Sequence, residues 1–241
     1  MIAAKTNFDS DQRSMNARIF QRNRRAPWTA IVLTAALSLT ASGCNQVVLL
    51  GYMLGGPPSI EPDFDRETGK GLDNPDYRVA VICFAPTSMK LSHPKVDSEV
   101  AQYVALRLRQ HDIPIISPDL VDAWLDQNQD WDHPEQVGEA LNATHVIEIE
   151  LADFDLYEQN STHLYRGRTE AYINVYELND AGIGDRTYSK EFQFMFPTEA
   201  PRFAHDQPLL SFKMEYLSRL SEKIGFLFYE RYTGDLIPWA T

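Results

Sequence analysis

Asp126, Asn128, Asp130 and Asp132 set oxygen donors at alternating positions of one short stretch, Asp126-Gln127-Asn128-Gln129-Asp130-Trp131-Asp132. A calcium loop opens in this way, but it needs a turn-forming Gly at the sixth position and a bidentate Glu at the twelfth. Trp131 and Val137 stand there instead. The stretch therefore reads as a solvated interhelical loop, and neither a metal nor a cofactor is assigned. Glu148 and Glu150, two residues apart, share one face of a strand. Paired carboxylates do acid–base work when burial splits their pKa values; on a half-exposed strand they form the wet face. The six histidines, at 93, 111, 133, 145, 163 and 205, include no pair four apart on one helix, so no zinc signature arises. His145 and His163 meet only if the strand register sets them opposite. Cys83 lies inside the apolar run Val79-Ala80-Val81-Ile82-Cys83-Phe84 and reads as a buried, inert thiol. No Gly-Lys-Ser/Thr phosphate loop, Gly-x-Ser-x-Gly elbow or Gly-x-Gly-x-x-Gly turn occurs. No catalytic residue is assigned, and a non-enzymatic protein is the expectation.

The elements that position these groups begin with residues 78–85, a continuous apolar run that reads as a central strand buried on both faces. Val100, Ala101, Val104, Ala105 and Leu108 follow at helical spacing, with Asp97 and Glu99 at the start and Arg107 and Arg109 at the end, as the macrodipole favours. Ile113-Pro114-Ile115-Ile116 reads as a short strand. Ser117-Pro118 supplies an N-cap and a first-turn proline for the next helix. Asp132-x-x-Glu135 predicts a capping box for a helix over 134–142. Ile147, Ile149 and Leu151 alternate with Glu148 and Glu150, and strands over 164–178 and 187–196 follow across loop residues 179–185. A helix over 208–232 carries Leu210, Met214, Leu217, Leu220, Ile224 and Leu227 on one side. Its end, Phe226-Leu227-Phe228-Tyr229, has more apolar positions than one buried stripe needs, so part of it is expected to face a partner. The order β-α-β-α-α-β-β-β-α predicts one α/β domain with a mixed sheet over 77–232, then a tail at 233–241.

The start of the chain has another character. Arg22, Arg24 and Arg25 precede the short apolar stretch 28–43, which ends in small residues before Cys44. A basic segment, a short apolar core and small residues define an export signal, and the stretch is short for a spanning helix of about 20 residues. Ala41-Ser42-Gly43-Cys44 resembles the bacterial lipobox, with Ala41 where Leu is usual. Residues 1–43 are thus expected to be a lipoprotein signal peptide, with Cys44 lipidated and a Pro-, Gly- and charge-rich tether over 44–76. The alternative is an uncleaved signal anchor, because Val47-Val48-Leu49-Leu50-Gly51-Tyr52-Met53-Leu54 prolongs the apolar character. Met15 would give a signal of more ordinary length than Met1. Residues 1–43 hold six basic and two acidic groups, so their removal takes 22 basic and 34 acidic groups to 16 and 32, a net charge of −16. Such a surface repels phosphate backbones, so no nucleic-acid partner is expected.

Three of these stretches are similar to a superfamily of bacterial envelope domains. It includes the curli-secretion channel lipoproteins, the lipoprotein activators of penicillin-binding proteins, and the N-terminal domain of the Tol-system propeller protein. The stretches are Val79-Ala80-Val81-Ile82-Cys83-Phe84, the helix-strand-helix over 99–125, and Gln136-Val137-Gly138-Glu139-Ala140-Leu141-Asn142-Ala143-Thr144-His145-Val146-Ile147-Glu148-Ile149. The last resembles the family's turn from a short helix into a strand, with Thr144 in place of its Asp and Glu148 in place of its Gly. His111-Asp112 stands where the family often has a helix-ending Gly. The resemblance covers residues 78–230 and implies fold and compartment, with no catalytic residues to carry over. The expectation is a lipid-anchored protein facing the periplasm, in the outer membrane in preference to the inner, that binds another envelope protein. The alternatives are a ligand- or metal-binding lipoprotein using the 126–132 loop or the sheet face, and, behind it, a hydrolase.

Overall fold

The computed structural model describes residues 59–179 and 182–232. The signal segment 1–43, Cys44, the first part of the tether and the 233–241 tail lie outside the described residues. The chain divides into Met1–Pro57 and Pro58–Thr241, and all the described residues belong to the second unit.

The elements run β1 (Ser59–Ile60), α1 (Asp63–Thr68), β2 (Val79–Phe84), α2 (Thr87–Ser92), α3 (Val96–Arg109), α4 (Pro118–Gln127), α5 (Pro134–Leu141), β3 (His145–Tyr157), β4 (Leu164–Leu178), β5 (Gly184–Phe196), β6 (Arg202–Phe203), α6 (Leu209–Gly225) and β7 (Arg231–Tyr232). The main sheet has the order β2-β3-β4-β5, with β6 paired to the start of β4, and β1 pairs β7 in a separate ribbon. β2 and β3 are parallel and the remaining neighbours antiparallel, so the sheet is mixed and the fold class is α/β.

β2 is buried on both faces as its apolar run predicts, yet it closes one end of the sheet order and is not central. A continuous apolar run reports two covered faces; it does not count strand neighbours. Residues 113–116, expected as a strand, are reduced to one parallel bridge beside β2, where Val79 N–H donates to the Pro114 carbonyl and Ile116 N–H to that of Val79. Pro114 has no N–H to extend a ladder. The predicted capping box is also displaced. Gln136, not Glu135, exchanges bonds with Asp132, its amide donating to the carboxylate at 2.9 Å and its carbonyl accepting the Asp132 N–H at 3.3 Å.

One sheet face carries the large core, where α3 lies over β2 and α6 over β4 and β5. Tyr216 of α6 is fully buried, and its hydroxyl shares a 2.7 Å hydrogen bond with Thr169. Its ring lies against Gly167, where an added Cβ would stand 2.1 Å from a ring carbon, so only glycine admits the helix this close. The other face is covered at one end only. There α4 and α5 bury Val121 and Val137 against Ala80, Ile82 and Val146.

The tether expected over 44–76 gives way to folded chain in its second half. β1, α1 and Leu72 belong to the domain, and Phe64 and Leu72 join the large core. The polar composition of this stretch hid two anchoring side chains. Nor does the end of the last helix face outward. Helix α6 stops at Gly225, and Phe226, Phe228 and Tyr229 are buried, Phe228 against Phe64 and Tyr229 stacked on His111. The surplus of apolar positions is absorbed by Phe64 of α1 and by His111 beyond α3, neighbours that the pattern of the last helix could not reveal.

Asp65 of α1 is less comfortable. Burial, with Asp73, Glu61 and Glu230 adding their charge, pushes its carboxyl up to about 6, well above the ordinary carboxylate range. The unfolded chain thus ionises first as pH rises, and this group's contribution to stability falls between about pH 4 and pH 6 and stays low above that. Asp65→Asn is expected to raise the melting temperature at about pH 7.5 and to leave it nearly unchanged at about pH 4. An equal shift at both pH values in a thermal scan would remove the electrostatic explanation.

Candidate functional site

The sheet face left open beyond α4 and α5 is ordered by register. Phe84 of β2 pairs with Glu150 of β3, Glu150 with Tyr172 of β4, and Tyr172 with Glu191 of β5. Paired residues point to the same face, so these four form one row across the strands. Trp131 extends the row, its ring meeting that of Phe84 edge-on with centroids 6.5 Å apart. The resulting strip alternates aromatic rings with carboxylates. Phe84 is 45% exposed and Tyr172 46%, and both glutamates are exposed. Large aromatics this open on a sheet face are informative in a way that scattered surface leucines are not.

On one side of the strip runs a fixed polar row. Glu148 accepts hydrogen bonds from the Asn174 amide at 3.0 Å and the Tyr176 hydroxyl at 3.2 Å, and Ser189 donates to Asn174 at 2.7 Å. Burial, then the charge and hydrogen bond of Glu148, pushes the Tyr176 phenol up to about 12, so it remains a donor. On the other side stand Asp153, Glu170 and Gln193, then Asp155, Arg168 and Met195. Arg168 lies 3.8 Å from Asp155.

At the Trp131 end the strip runs into a cleft of about 700 Å³ beyond the C-terminal end of β2. Parallel strands commonly open onto a crevice there. Cys83 and Phe84 form its floor, with Lys90, Asp97, Asp122 and Asp126 among its polar walls. Lys90 is paired with Asp97, and Asp122 accepts a hydrogen bond from Gln102 at 2.9 Å. Burial raises the Asp122 carboxyl against the lowering effect of Gln102, and the charges of Asp126, Asp119 and Asp97 raise it further. Cys83 is 5% exposed, and burial lifts its thiol well above the ordinary range. A neutral, sheltered thiol is a poor nucleophile.

The sequence-derived candidates are scattered. Asp126 lines the cleft. Asn128 caps α4 and donates its amide to the Trp124 carbonyl. Asp130 is exposed, and Asp132 is engaged by Gln136. Among the described residues, no group of three His, Cys, Asp or Glu side chains is placed to hold a metal ion. Glu148 and Glu150 share the open face as expected, one tied into the polar row and one in the strip. His145 stands opposite Glu177 and against Tyr77, while His163 precedes β4 at the far end of the β3–β4 hairpin, so the two do not meet. Phe84, Tyr172 and Glu191 were not singled out by sequence. Alternation marks Tyr172 and Glu191 as outward-facing, but Phe84 sits in a continuous apolar run expected to be buried, and only the register puts the three in one row.

The fold and this strip define an α/β domain with a half-covered mixed sheet. No protein-family profile and no curated protein sequence matches the chain. Solved structures with a similar backbone include a PelC variant dodecamer from Paraburkholderia phytofirmans, at 10% identity and a TM-score of 0.40, covering 71% of this chain and 98% of that one. Another is the hypothetical protein CT253 from Chlamydia trachomatis, at 12% identity and TM-score 0.37, covering 63% and 96%. A third is lipoprotein GNA1162 from Neisseria meningitidis, at 11% identity and TM-score 0.35, covering 61% and 97%. At these values no residue role is carried from them to this chain.

Proposed function

We propose that this chain is a lipid-anchored accessory protein of a bacterial envelope. In this reading Cys44 holds it to a membrane, the outer in preference to the inner, with its domain facing the periplasm. The domain acts without catalysis, by docking another envelope protein on the open face of its sheet. The observation that carries the reading is the aromatic and acidic strip that crosses that face. Burial of Tyr172 and Phe84 would give such an interface its apolar anchors, and aromatic residues dominate the energetics of protein interfaces. The export segment and the resemblance to envelope superfamily domains support the compartment. The sheltered Cys83 thiol fits a binding role better than a hydrolytic one.

Tyr172→Ala is the test. Tyr172 is half open, so its truncation should change the urea midpoint little, by about 0.5 kcal/mol or less in stability. Capture of the native partner from its own cells should drop by about tenfold or more, the loss of roughly 1.4 kcal/mol or more at an interface. Capture at the wild-type level, with the fold intact, would reject the sheet face as the docking surface.

A further inference from the structure

In the acidic flank Arg168 pairs with Asp155, but the two glutamates of the strip, Glu150 and Glu191, and the adjoining Asp153 and Glu170 form no ion pair among the described residues. Asp63 pairs with Lys190 and Glu215 with Arg202 elsewhere on the domain. Neighbouring strands stand about 4.8 Å apart, which puts Glu150 and Glu191 at roughly 10 Å, with Tyr172 between them. Like charges held this close on a stiff sheet repel, and no ion pair within the described residues neutralises them. A cation bound between them gains from both carboxylates, and the faces of Tyr172 and Phe84 add cation–π attraction. Past Trp131 the cleft is lined by Asp126 and Asp122 but also by Lys90 and Lys95, so the acidic row ends at its mouth. Anionic lipid would be repelled by this face, which favours its turning away from the membrane.

Resting on the reading that the open sheet face is a docking surface, we propose that its occupant is an Arg- or Lys-rich polypeptide segment of the partner protein. The segment crosses the strands along Trp131, Phe84, Glu150, Tyr172 and Glu191. Long cationic side chains suit the strip because their stems cover the rings while their heads reach the carboxylates. Guanidinium groups fit best, since they stack on aromatic faces and bond carboxylates with two donors at once.

The test uses the full lipidated chain in nonionic detergent, with a labelled oligo-arginine peptide as probe and an oligo-glutamate peptide as control. Oligo-arginine should bind and oligo-glutamate should not. The double variant Glu150→Gln/Glu191→Gln should weaken oligo-arginine by about tenfold, and Tyr172→Ala by a similar factor. The charge-matched variant Glu61→Gln/Glu230→Gln, at exposed positions bordering Asp65, should stay within about twofold of the parent. Melting curves check that each variant is folded. Equal weakening by both double variants would overturn the proposal, since binding would then be diffuse attraction to a negative surface. If strip variants leave oligo-arginine untouched while Tyr172→Ala still abolishes capture of the native partner, docking stands and the cationic class falls. If capture survives Tyr172→Ala, docking on this face falls, whatever the peptide does.

Discussion

Phe64→Ala should lower the stability of the domain by about 3–5 kcal/mol, a large part of the 5–15 kcal/mol typical of a natural domain. Composition places Phe64 in a tether, where truncation would cost nothing. In the structure it is 2% exposed, packed edge-on against Tyr188 with centroids 5.5 Å apart and against Phe228 at 5.8 Å. Its backbone N–H donates to the Leu227 carbonyl at 2.9 Å. The Tyr188 hydroxyl donates to neighbouring Asp63, so α1 is held to the sheet by side chain as well as core. Leu217→Ala, in buried α6, is the benchmark at about 2–5 kcal/mol, and Phe203→Ala, 55% exposed, should be nearly silent. Urea unfolding of the three variants separates the cases. A Phe64→Ala midpoint equal to that of Phe203→Ala would return residues 59–76 to the tether.

Cys44→Ser should move the protein from the membrane fraction to the soluble periplasmic fraction. Acyl burial contributes about 0.8 kcal/mol per methylene, and two or three chains together hold a protein stably where one does not. Serine offers no thiol for the thioether that attaches the diacylglycerol. Blocking lipoprotein signal peptidase should separately leave a larger precursor in the membrane. Among the described residues, no helix is long and apolar enough to cross a membrane. Residues 28–54 lie outside that set, so the fractionation bears directly on the signal-anchor alternative. A Cys44→Ser protein that remains membrane-bound at full length would establish the anchor in place of the lipid.

Much of the architecture was legible because it rests on short-range patterns. The run 79–84 read as a strand, buried on both faces as far as Cys83, the spacing of Val100, Val104 and Leu108 as a helix with one apolar face, and Pro118 as a first turn. Each is decided by periodicity and local backbone chemistry within a few residues. The alternation of Glu148 and Glu150 with Ile147, Ile149 and Leu151 likewise told which side of β3 is wet. It could not tell that Glu148 would be tied to Asn174 and Tyr176 while Glu150 stands free of such bonds, because those partners come from a strand more than twenty residues on.

The sequence by itself determined the long helices and strands between 79 and 225, the excess of acid over base, and the short-range pattern of basic residues, apolar stretch and small residues that marks Cys44. Tertiary structure decided what these elements meet. It drew Phe64 and Leu72 out of a polar stretch into the core, closed Phe228 against α1 and Tyr229 against His111, and kept His145 away from His163. It also set Trp131, Phe84, Glu150, Tyr172 and Glu191 in one line from five separate segments. The physical reason is that periodicity fixes only which face of its own element a side chain occupies. A neighbour across a sheet is chosen by register, and a register shift of one residue would turn one of these side chains to the opposite face.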